Sequence, residues 1–313
     1  MTTIAPSQPK VLVLLAAYNG AAWIGEQIES ILQQEHVDLR LLIRDDASSD
    51  PTVEIVRQFA SFDSRVELQR SEIPSGSASQ NFFSLIRDND SAGFDYVALS
   101  DQDDIWNQGK IRRATKALRQ SPSCSGYSSA VTAVWPDGTS RLLPQEPNPT
   151  KADFLFEGAG QGCTFVLTCA LYSRLRSFLV GHQELTQGTH FHDWAIYALA
   201  RTWHLRWFFD PTPSLQYRQH ENNDTGARMS LKGITSRFLK IRGGWYRQQL
   251  LRISALCHAT APDDVAFSQW YTLLCGPQSL GRRIEIARFC LHGGRRRKSD
   301  NTILILSAIL GWI

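Results

Sequence analysis

The segment Ser100-Asp-Gln-Asp-Asp-Ile-Trp106 holds the residues of this chain that are best suited to chemistry. Its three carboxylates, Asp101, Asp103 and Asp104, directly follow the apolar run 96–99. Like charges at the end of a buried strand repel each other and resist desolvation. A divalent cation removes this penalty, and Mg²⁺ and Mn²⁺ prefer such oxygen ligands. The pattern therefore favours a metal site that holds phosphate oxygens, with a solvated acidic turn as the alternative. An EF-hand is disfavoured, because Ile105 and Trp106 stand where its loop needs Asp or Asn and then Gly.

The elements that must position this motif are predicted from hydrophobic patterning. Apolar runs predict strands at residues 11–16, 39–43, 66–69 and 95–99. Amphipathic spacing predicts a helix after each of the first three strands, and one of these begins with Asp50 as N-cap and Pro51 at its first helical position. This β-α-β-α-β-α-β order predicts an α/β fold with a mostly parallel, Rossmann-like central sheet flanked by helices.

Polar side chains follow three of the predicted strands at the point where each strand ends. Tyr18 and Asn19 follow the first strand, Asp45 and Asp46 end the second, and the acidic motif follows the fourth. Because ligands of parallel sheets bind beyond the carboxyl ends of the strands, we predict a ligand site at this edge. The chain has no G-x-G-x-x-G after its first strand and no G-x-x-x-x-G-K-[ST], which disfavours dinucleotide oxidoreductases and P-loop enzymes.

Three later segments contain further candidate residues. Gly162 and Cys163 begin a predicted strand that is entered through small residues, which is typical of a close ligand approach or of a simple flexible turn. Asp193 starts a helix predicted to reach about Arg201, where it is either a general base or a helix cap. His220 follows a predicted strand in a polar run, so it is a metal ligand, a diphosphate contact or a structural histidine.

Composition limits the class of protein. The 313 residues, 42% hydrophobic and 20% charged, suffice for one large domain or one domain plus an appendage. The six cysteines form no C-x-x-C pair, which disfavours structural zinc and fits reduced thiols in a cytoplasmic protein. We expect no signal peptide, and no segment reaches the ~20 apolar residues of a spanning helix.

Charge is divided unevenly along the chain. Residues 1–227 carry a net charge of −7 and residues 228–300 a net charge of +10. The basic part ends in Arg295-Arg-Arg-Lys298, directly before the apolar tail 301–313. Basic residues next to an apolar segment suit an anionic membrane surface, and solvated helix faces are the alternative. A nucleic-acid patch is disfavoured, because no recognisable nucleic-acid module surrounds it.

The motifs, taken in order, resemble those of family 2 glycosyltransferases with the GT-A fold over roughly residues 10–225. Leu14-Leu-Ala-Ala-Tyr-Asn-Gly20 is similar to the family's first strand and Tyr-Asn turn. Asp45-Asp-Ala-Ser-Ser-Asp50 is similar to its D-D-[GA]-S-x-D segment, and Gly76 followed by Asn81-Phe82 fits its third-helix entry.

Three segments indicate a bacterial rhamnosyltransferase subgroup of this family. The acidic motif resembles that subgroup's version of the metal-binding D-x-D-D motif, and His192-Asp-Trp194 and Tyr217-Arg-Gln-His220 also resemble it. Glu221 departs from the pattern, since the subgroup usually has Gly there, and a carboxylate near a diphosphate would be repelled unless it turns away. The resemblance implies a GT-A domain over residues 1–225. The charge distribution and the apolar tail predict a helical, basic, membrane-associating region over residues 226–313.

The resemblance also implies a role for each matching residue. Tyr18 and Asp46 contact the nucleoside with help from Asp45, and Asp101 faces the ribose and the donor sugar. The remaining donor-binding positions are Ala17, Asn19, Asn81, Gln102 and Arg218. Asp103 binds the metal with His220, and Asp193 is the base. The acceptor and sugar pocket comprises Asp104, Trp106, Gly162, Cys163, His192 and Trp194, although large apolar side chains such as the two tryptophans are more often core.

The implied reaction is transfer of L-rhamnose from dTDP-L-rhamnose, with inversion, to a hydroxyl of a growing polysaccharide or lipid-linked glycan. Mg²⁺ or Mn²⁺ would offset the charge of the leaving nucleoside diphosphate, and one carboxylate would take the hydroxyl proton. We expect a cytoplasmic enzyme at the inner face of the cell membrane, with no nucleic-acid partner. The alternatives are a UDP-hexose donor such as UDP-galactose or UDP-glucose, a nucleotidyltransferase, or a non-catalytic nucleotide-binding protein.

Overall fold

Apolar strands alternating with amphipathic helices build a seven-stranded sheet. The computed structural model describes residues 8–220 and 239–313. The strands of the sheet are β1 (Lys10–Ala17), β2 (Asp38–Asp46), β3 (Val66–Ser71), β4 (Tyr96–Ser100), β6 (Cys124–Ser129), β9 (Val166–Thr168) and β10 (Arg206–Asp210). Their order is β10-β6-β9-β4-β1-β2-β3, and only β9 runs antiparallel to its neighbours. The predicted mostly parallel sheet is therefore confirmed.

Pairing register places the ends of the central strands together. Ala17 of β1 is opposite Asp45 of β2, and on the other side Leu15 of β1 is opposite Ser100 of β4. The polar residues that follow these strands therefore lie at one sheet edge, as the hydrophobic pattern predicts. Every residue of β1 after Lys10 is buried, because this strand is covered by side chains on both faces.

Five helices occur between residues 24 and 181. They are α1 (Ile24–Leu32), α2 (Thr52–Phe62), α3 (Ala78–Asp88), α4 (Lys110–Gln120) and α5 (Cys169–Gly181). The predicted start of α2 is wrong by one residue, because Pro51 is the N-cap and Thr52 is the first helical residue. Asp50 still accepts a hydrogen bond from the Thr52 amide at 3.0 Å, so its carboxylate satisfies a helix donor from one position further out.

A smaller sheet follows the acidic motif. It orders β5 (Ile105–Trp106), β11 (Leu215–Arg218), β7 (Val131–Val134) and β8 (Ser140–Leu143) as β5-β11-β7-β8. Trp106 pairs with Leu215, so the chain directly after the acidic carboxylates is fixed to a strand more than a hundred residues away.

The described residues form two compact units that interleave along the sequence. The first unit holds both sheets and comprises residues 8–145, 160–181 and 206–219. The second comprises residues 146–159, 182–205, 220 and 239–313. The predicted boundary at 225 lies outside the described residues, close to this change of unit at 219/220. Two earlier segments that we expected in the first domain also belong to the second unit.

Helices make up most of the second unit. They are α6 (His192–Thr202), α7 (Trp245–Thr260), α8 (Val265–Cys275), α9 (Leu280–Gly293) and α10 (Lys298–Ile309). In the described part of the chain, none of the helices combines the length and the apolar character needed to span a bilayer.

A buried ion-pair network holds the second unit together. Asp153 is 0% exposed and accepts hydrogen bonds from Tyr197 Oη at 2.8 Å, Arg201 Nη1 at 3.0 Å and Arg296 Nη1 at 2.7 Å. Arg296 belongs to the basic run predicted to face a membrane. Its neighbours in that run are also ion-paired, Arg295 with Glu157 and Arg297 with Glu146. Much of this basic run therefore serves internal pairing rather than forming a solvated patch.

Candidate active site

The turn after β1 is joined to the turn after β4 by a reciprocal amide pair. The Tyr18 amide donates to Gln102 Oε1 at 2.8 Å, and Gln102 Nε2 donates to the Tyr18 carbonyl at 2.9 Å. A Cβ atom at Gly20 would clash with the Gln102 amide group, so a larger residue there would displace Gln102 and break this pair. The pair leaves the Tyr18 ring 53% exposed at the sheet edge, where it is free to contact a ligand.

Two residues in left-handed backbone join the β1 turn to the segment after β2. Asn19 has φ 48° and Ala47 has φ 62°. Residues other than glycine seldom adopt this left-handed backbone conformation. Asn19 accepts a hydrogen bond from the Ser49 amide at 2.9 Å, and its own amide donates to Ser48 Oγ at 2.8 Å. Strained backbone of this kind persists where neighbouring contacts fix it, and such positions cluster at functional sites.

The carboxylates at the end of β2 are buried and already hydrogen-bonded. Asp45 is 0% exposed and accepts from the Ser48 amide at 3.0 Å. Asp46 is 4% exposed and accepts from the Ser75 amide at 3.0 Å and from Arg44 Nη1 at 2.9 Å. A nucleoside that donates to Asp46 would therefore share this carboxylate with Ser75 or replace Ser75 as its donor.

Asn81 extends this network to the end of β1. Arg44 Nη1 donates to Asn81 Oδ1 at 2.6 Å, and Asn81 Nδ2 donates to the carbonyl of Ala17 at 3.2 Å. Asn81 is 2% exposed and Ala17 is 0% exposed, so both support the site from behind. Seven of the predicted donor-binding residues thus share connected contacts at one edge: Ala17, Tyr18, Asn19, Asp45, Asp46, Asn81 and Gln102.

The acidic motif and the turn Gly162–Thr164 bring three potential ligands together. One ligand atom from each of Asp101, Asp104 and Cys163 lies within 4.8 Å of the other two. Asp104 is 0% exposed, and burial followed by the charges of Asp103 and Asp101 holds its pKa well above the ordinary value. Burial likewise raises the pKa of the Cys163 thiol, which disfavours the thiolate.

A buried lysine lies beneath these carboxylates. Lys110, the first residue of α4, is 1% exposed, donates to the Cys163 carbonyl at 2.8 Å and lies 3.3 Å from the centroid of the Trp106 ring. Burial lowers its pKa to about 7, against the attraction of Asp104 and Asp101. Sequence reasoning missed this residue, although Lys110, Ile111, Ala114 and Leu118 share the buried face of an amphipathic helix.

The residues of the motif fit a hard divalent cation. Among the described residues, neither carboxylate oxygen of Asp104 meets a hydrogen-bond donor of good geometry. The Cys163 thiol is only a weak donor to this carboxyl, so burial of the ionised form is costly and a nearby cation would relieve that cost. Asp101 and Asp103 are half-buried and therefore reachable from solvent. The protonated thiol of Cys163 is a poor ligand, so the donor set is one of carboxylate oxygens.

The predicted base and its neighbours belong to the second unit. Asp193 is half-buried in the first turn of α6, and its Oδ1 accepts from the Trp194 amide at 2.7 Å. His192 is buried, which lowers its pKa to about 3 and keeps the imidazole neutral. Trp194 is 4% exposed, donates from Nε1 to the Phe154 carbonyl at 2.8 Å and stacks on Tyr246.

The remaining predicted residues have mixed surroundings. Trp106 is 3% exposed and packs as core, the alternative that we gave for both tryptophans. Gly162 is buried, Arg218 donates to Glu26 Oε2 at 2.6 Å, and His220 is half-buried as the first residue of the second unit's last segment. Glu221 lies outside the described residues.

Comparison with known proteins identifies similar chains. Residues 12–175 match the family model described as "Glycosyl transferase family 2". A dTDP-rhamnosyl transferase of Shigella flexneri, RfbG, is 36% identical over 298 residues, which cover 95% of this chain and 99% of the relative.

Two solved structures share the fold at low sequence identity. Staphylococcus aureus TarS 1-349 in complex with UDP gives a TM-score of 0.56 at 13% identity, covering 97% of this chain and 89% of that one. The mannosyltransferase PcManGT from Pyrobaculum calidifontis in complex with GDP-Man and Mn²⁺ gives 0.52 at 18% identity, covering 98% and 89%.

Proposed function

Because this chain belongs to glycosyltransferase family 2, we propose that it moves L-rhamnose from dTDP-L-rhamnose to a hydroxyl of a growing cell-surface polysaccharide or lipid-linked glycan. The choice of donor rests on one observation. The chain is 36% identical to a dTDP-rhamnosyl transferase over nearly the full length of both proteins. The network at the strand ends is compatible with this donor, since it combines an exposed aromatic ring with buried carboxylates.

The nucleoside would bind at the turns after β1 and β2. The exposed Tyr18 ring offers a face for the base, and Asp46 offers acceptors for base or ribose hydrogen atoms. Asp45 holds the Ser48 amide and so fixes the turn that presents Asp46. Asp101 would accept from the ribose and the donor sugar.

A divalent cation, Mg²⁺ or Mn²⁺, would be held by Asp103, with His220 completing the ligands and Asp101 or Asp104 adding carboxylate oxygens. When bound, it supplies positive charge that stabilises the departing nucleoside diphosphate. The carboxylates contribute by holding this charge at the carboxyl end of β4. The buried Lys110 offsets part of their mutual repulsion when that charge is absent.

Asp193 would act as the general base. Its carboxylate is half-buried in the first turn of α6 and accepts a hydrogen bond from the Trp194 amide, which orients it. The acceptor oxygen would attack the anomeric carbon as Asp193 takes the hydroxyl proton, and the bond to the diphosphate would break. With one base and no enzyme nucleophile, a single displacement inverts the anomeric centre.

An anionic membrane surface is the partner we propose for the C-terminal helices. Exposed aliphatic side chains lie on both helices of the α9–α10 pair: Leu280, Ile284 and Leu291 on α9, Ile303, Leu306 and Ile309 on α10, and Leu310 at the C-cap of α10. Exposed Arg288 and Lys298 accompany them. Aliphatic side chains beside cations suit a bilayer with anionic lipid, which would keep the enzyme at the inner face of the cell membrane.

Vesicle flotation tests this surface. The double substitution Leu306→Glu with Leu310→Glu should reduce binding to phosphatidylglycerol vesicles, while Val265→Glu, at an exposed position on α8, serves as the control. Equal flotation of both variants would discard the membrane-facing role of α10. Binding to vesicles of phosphatidylcholine alone should be weak for all proteins, because the cations then have no anionic partner.

Calorimetric titration tests the proposed donor. Purified protein is titrated with dTDP-L-rhamnose and with UDP-galactose, each with Mg²⁺ or Mn²⁺ and again with EDTA. Metal-dependent binding of dTDP-L-rhamnose alone supports the proposal. Binding of the UDP-sugar instead keeps a transferase and discards rhamnose, and no nucleotide binding in any condition favours a non-catalytic protein.

A further inference from the structure

Three aromatic rings meet at near right angles beside the start of α6. The centroids of His190 and Phe191 lie 4.5 Å apart with an interplanar angle of 78°. Trp245 completes the group at 5.3 Å and 83° from His190, and at 5.8 Å and 87° from Phe191. All three side chains are half-buried, and we call this group the aromatic corner.

The residues around the aromatic corner hold it in place. The His190 amide donates to Oε1 of the buried Gln249 at 2.9 Å. Gly244, in left-handed backbone with φ 80°, turns the chain so that α7 begins with Trp245. The next residue, Tyr246, stacks on Trp194 at 6.0 Å and donates to a backbone carbonyl at 2.7 Å. A surface that is fixed in advance loses little entropy when a ligand binds.

The corner differs from the aromatic core of the same unit. Phe156 and Trp270 also meet edge to face, at 5.3 Å, but they are 0% and 2% exposed. Rings that serve only packing are expected to be covered in this way, whereas those of the corner keep part of their surface in solvent. Lys240 adds an ammonium 5.5 Å from the centroid of the Trp245 ring, so the corner also carries a polar donor.

A sugar ring matches this combination of groups. Pyranoses have apolar C–H faces that pack on aromatic rings and hydroxyls that need hydrogen-bond partners, and a site with aromatic walls and few polar groups meets both needs. Phe191 is the N-cap of α6, two residues before Asp193, so a sugar held here lies at the same helix end as the proposed base. We propose that His190, Phe191 and Trp245 form the platform on which the acceptor's terminal sugar stacks.

This inference rests on the proposed function, and its test keeps the two apart. Initial rates are measured with dTDP-L-rhamnose as donor and with octyl N-acetyl-β-D-glucosaminide and octyl α-L-rhamnopyranoside as acceptor probes. Release of dTDP in the absence of acceptor is measured in parallel, because transfer to water needs the donor site and not the platform. If the wild-type protein releases no dTDP and transfers no sugar, the proposed function fails.

Trp245→Ala and Phe191→Ala should each raise the acceptor KM about two- to tenfold, the loss expected for one aromatic contact. The donor KM and the rate of transfer to water should stay unchanged. Trp245→Phe keeps an aromatic ring and should therefore recover most of the acceptor affinity. A purely structural role of Trp245 does not predict this recovery. Trp203→Ala is the matched control, since this half-buried tryptophan lies at the opposite end of α6.

Unchanged acceptor KM in both alanine variants, with donor turnover intact, would overturn the platform. An equal rise in the Trp203→Ala control would also overturn it, because the effect would then come from general loosening of α6. Where an alanine variant fails to fold, Trp245→Leu and Phe191→Leu replace it, because each removes the aromatic ring and keeps an apolar side chain. Calorimetric titration of each octyl glycoside without donor then provides the same test: weaker binding supports the platform, and unchanged binding overturns it.

Discussion

Replacement of Lys110 by methionine tests whether its ammonium is the counter-charge of the acidic motif. Methionine keeps an unbranched apolar chain of similar length and removes the charge and the hydrogen-bond donor. In the wild-type protein the ammonium donates to the Cys163 carbonyl at 2.8 Å and lies over the Trp106 ring. Its removal would take away the ammonium whose charge favours the ionised form of Asp104, which is 0% exposed and whose pKa burial already raises.

Opposing contributions decide the size of this effect. Burial lowers the Lys110 pKa from 10.5 to about 7, so the site disfavours the charged ammonium by about 5 kcal/mol, a cost that methionine removes. The losses are a charged hydrogen bond of about 1.5–3 kcal/mol, a desolvated cation–π contact of about 2 kcal/mol, and about 3–5 kcal/mol for uncompensated Asp104. With Asp104 ionised, these contributions predict that Lys110→Met lowers the free energy of unfolding by about 1.5–5 kcal/mol.

A double-mutant cycle separates charge from packing. In Asp104→Asn the buried charge is gone, so Lys110→Met in that background should cost about 1–3 kcal/mol less than in the wild-type protein. The assay is urea unfolding followed by circular dichroism at pH 6 with EDTA, where the lysine is protonated and no metal contributes. Lys116→Met, an exposed lysine on the same helix, should change stability by less than about 0.5 kcal/mol. Additive costs of the two substitutions would refute the pairing.

Four further outcomes are expected. Asp193→Asn should lower the rate of transfer at least about 100-fold while calorimetric binding of dTDP-L-rhamnose changes little, and substantial remaining turnover would remove Asp193 from the base role. Asp103→Asn should make donor binding insensitive to EDTA, and a persisting EDTA effect would assign the metal to other ligands. His192, with a pKa of about 3 when folded and about 6.5 when unfolded, should contribute stability above pH 6.5 that is lost as the pH falls towards 3. His192→Asn should therefore flatten the pH dependence of unfolding in this window, and an unchanged slope would contradict the burial argument. Ala47→Gly should raise the free energy of unfolding by about 0.5–1 kcal/mol, because φ 62° disfavours alanine, and a lower melting temperature would show that Ala47 makes compensating contacts.

Local sequence patterns sufficed to predict the half of the sheet that holds the proposed donor-site residues. β1 and β4 are continuous apolar runs that can only be buried on both faces, and parallel pairing then brings Tyr18, Asp46 and Asp101 to one edge. The prediction of the sheet is confirmed because the apolar run of each strand is recognisable within about six residues. The right-handed crossovers then leave few possible strand orders.

Long-range pairing has no such local pattern. β6 reads Cys-Ser-Gly-Tyr-Ser-Ser, which is neither apolar nor alternating, and it is buried because its polar groups find partners, such as Ser129 Oγ with Ser214 at 2.6 Å. Lys110 is missed for a related reason, since a lysine in an amphipathic helix is ordinarily expected to be solvated. Its burial follows from Cys163 and Asp104, whose positions depend on the folded chain.

The ion pair between Asp153 and Arg296 has a consequence for synthesis. The two residues are 143 positions apart, and Asp153 has no exposed surface once the second unit has formed. At about 5–20 residues per second, a ribosome completes Asp153 roughly 7–30 s before Arg296. During that interval Asp153 can pair with Tyr197 and Arg201 but not with Arg296, so the ion-pair network is completed only when synthesis of the chain is nearly finished. Nascent chains paused before Arg296 should therefore be more sensitive to proteases around Asp153 than released protein.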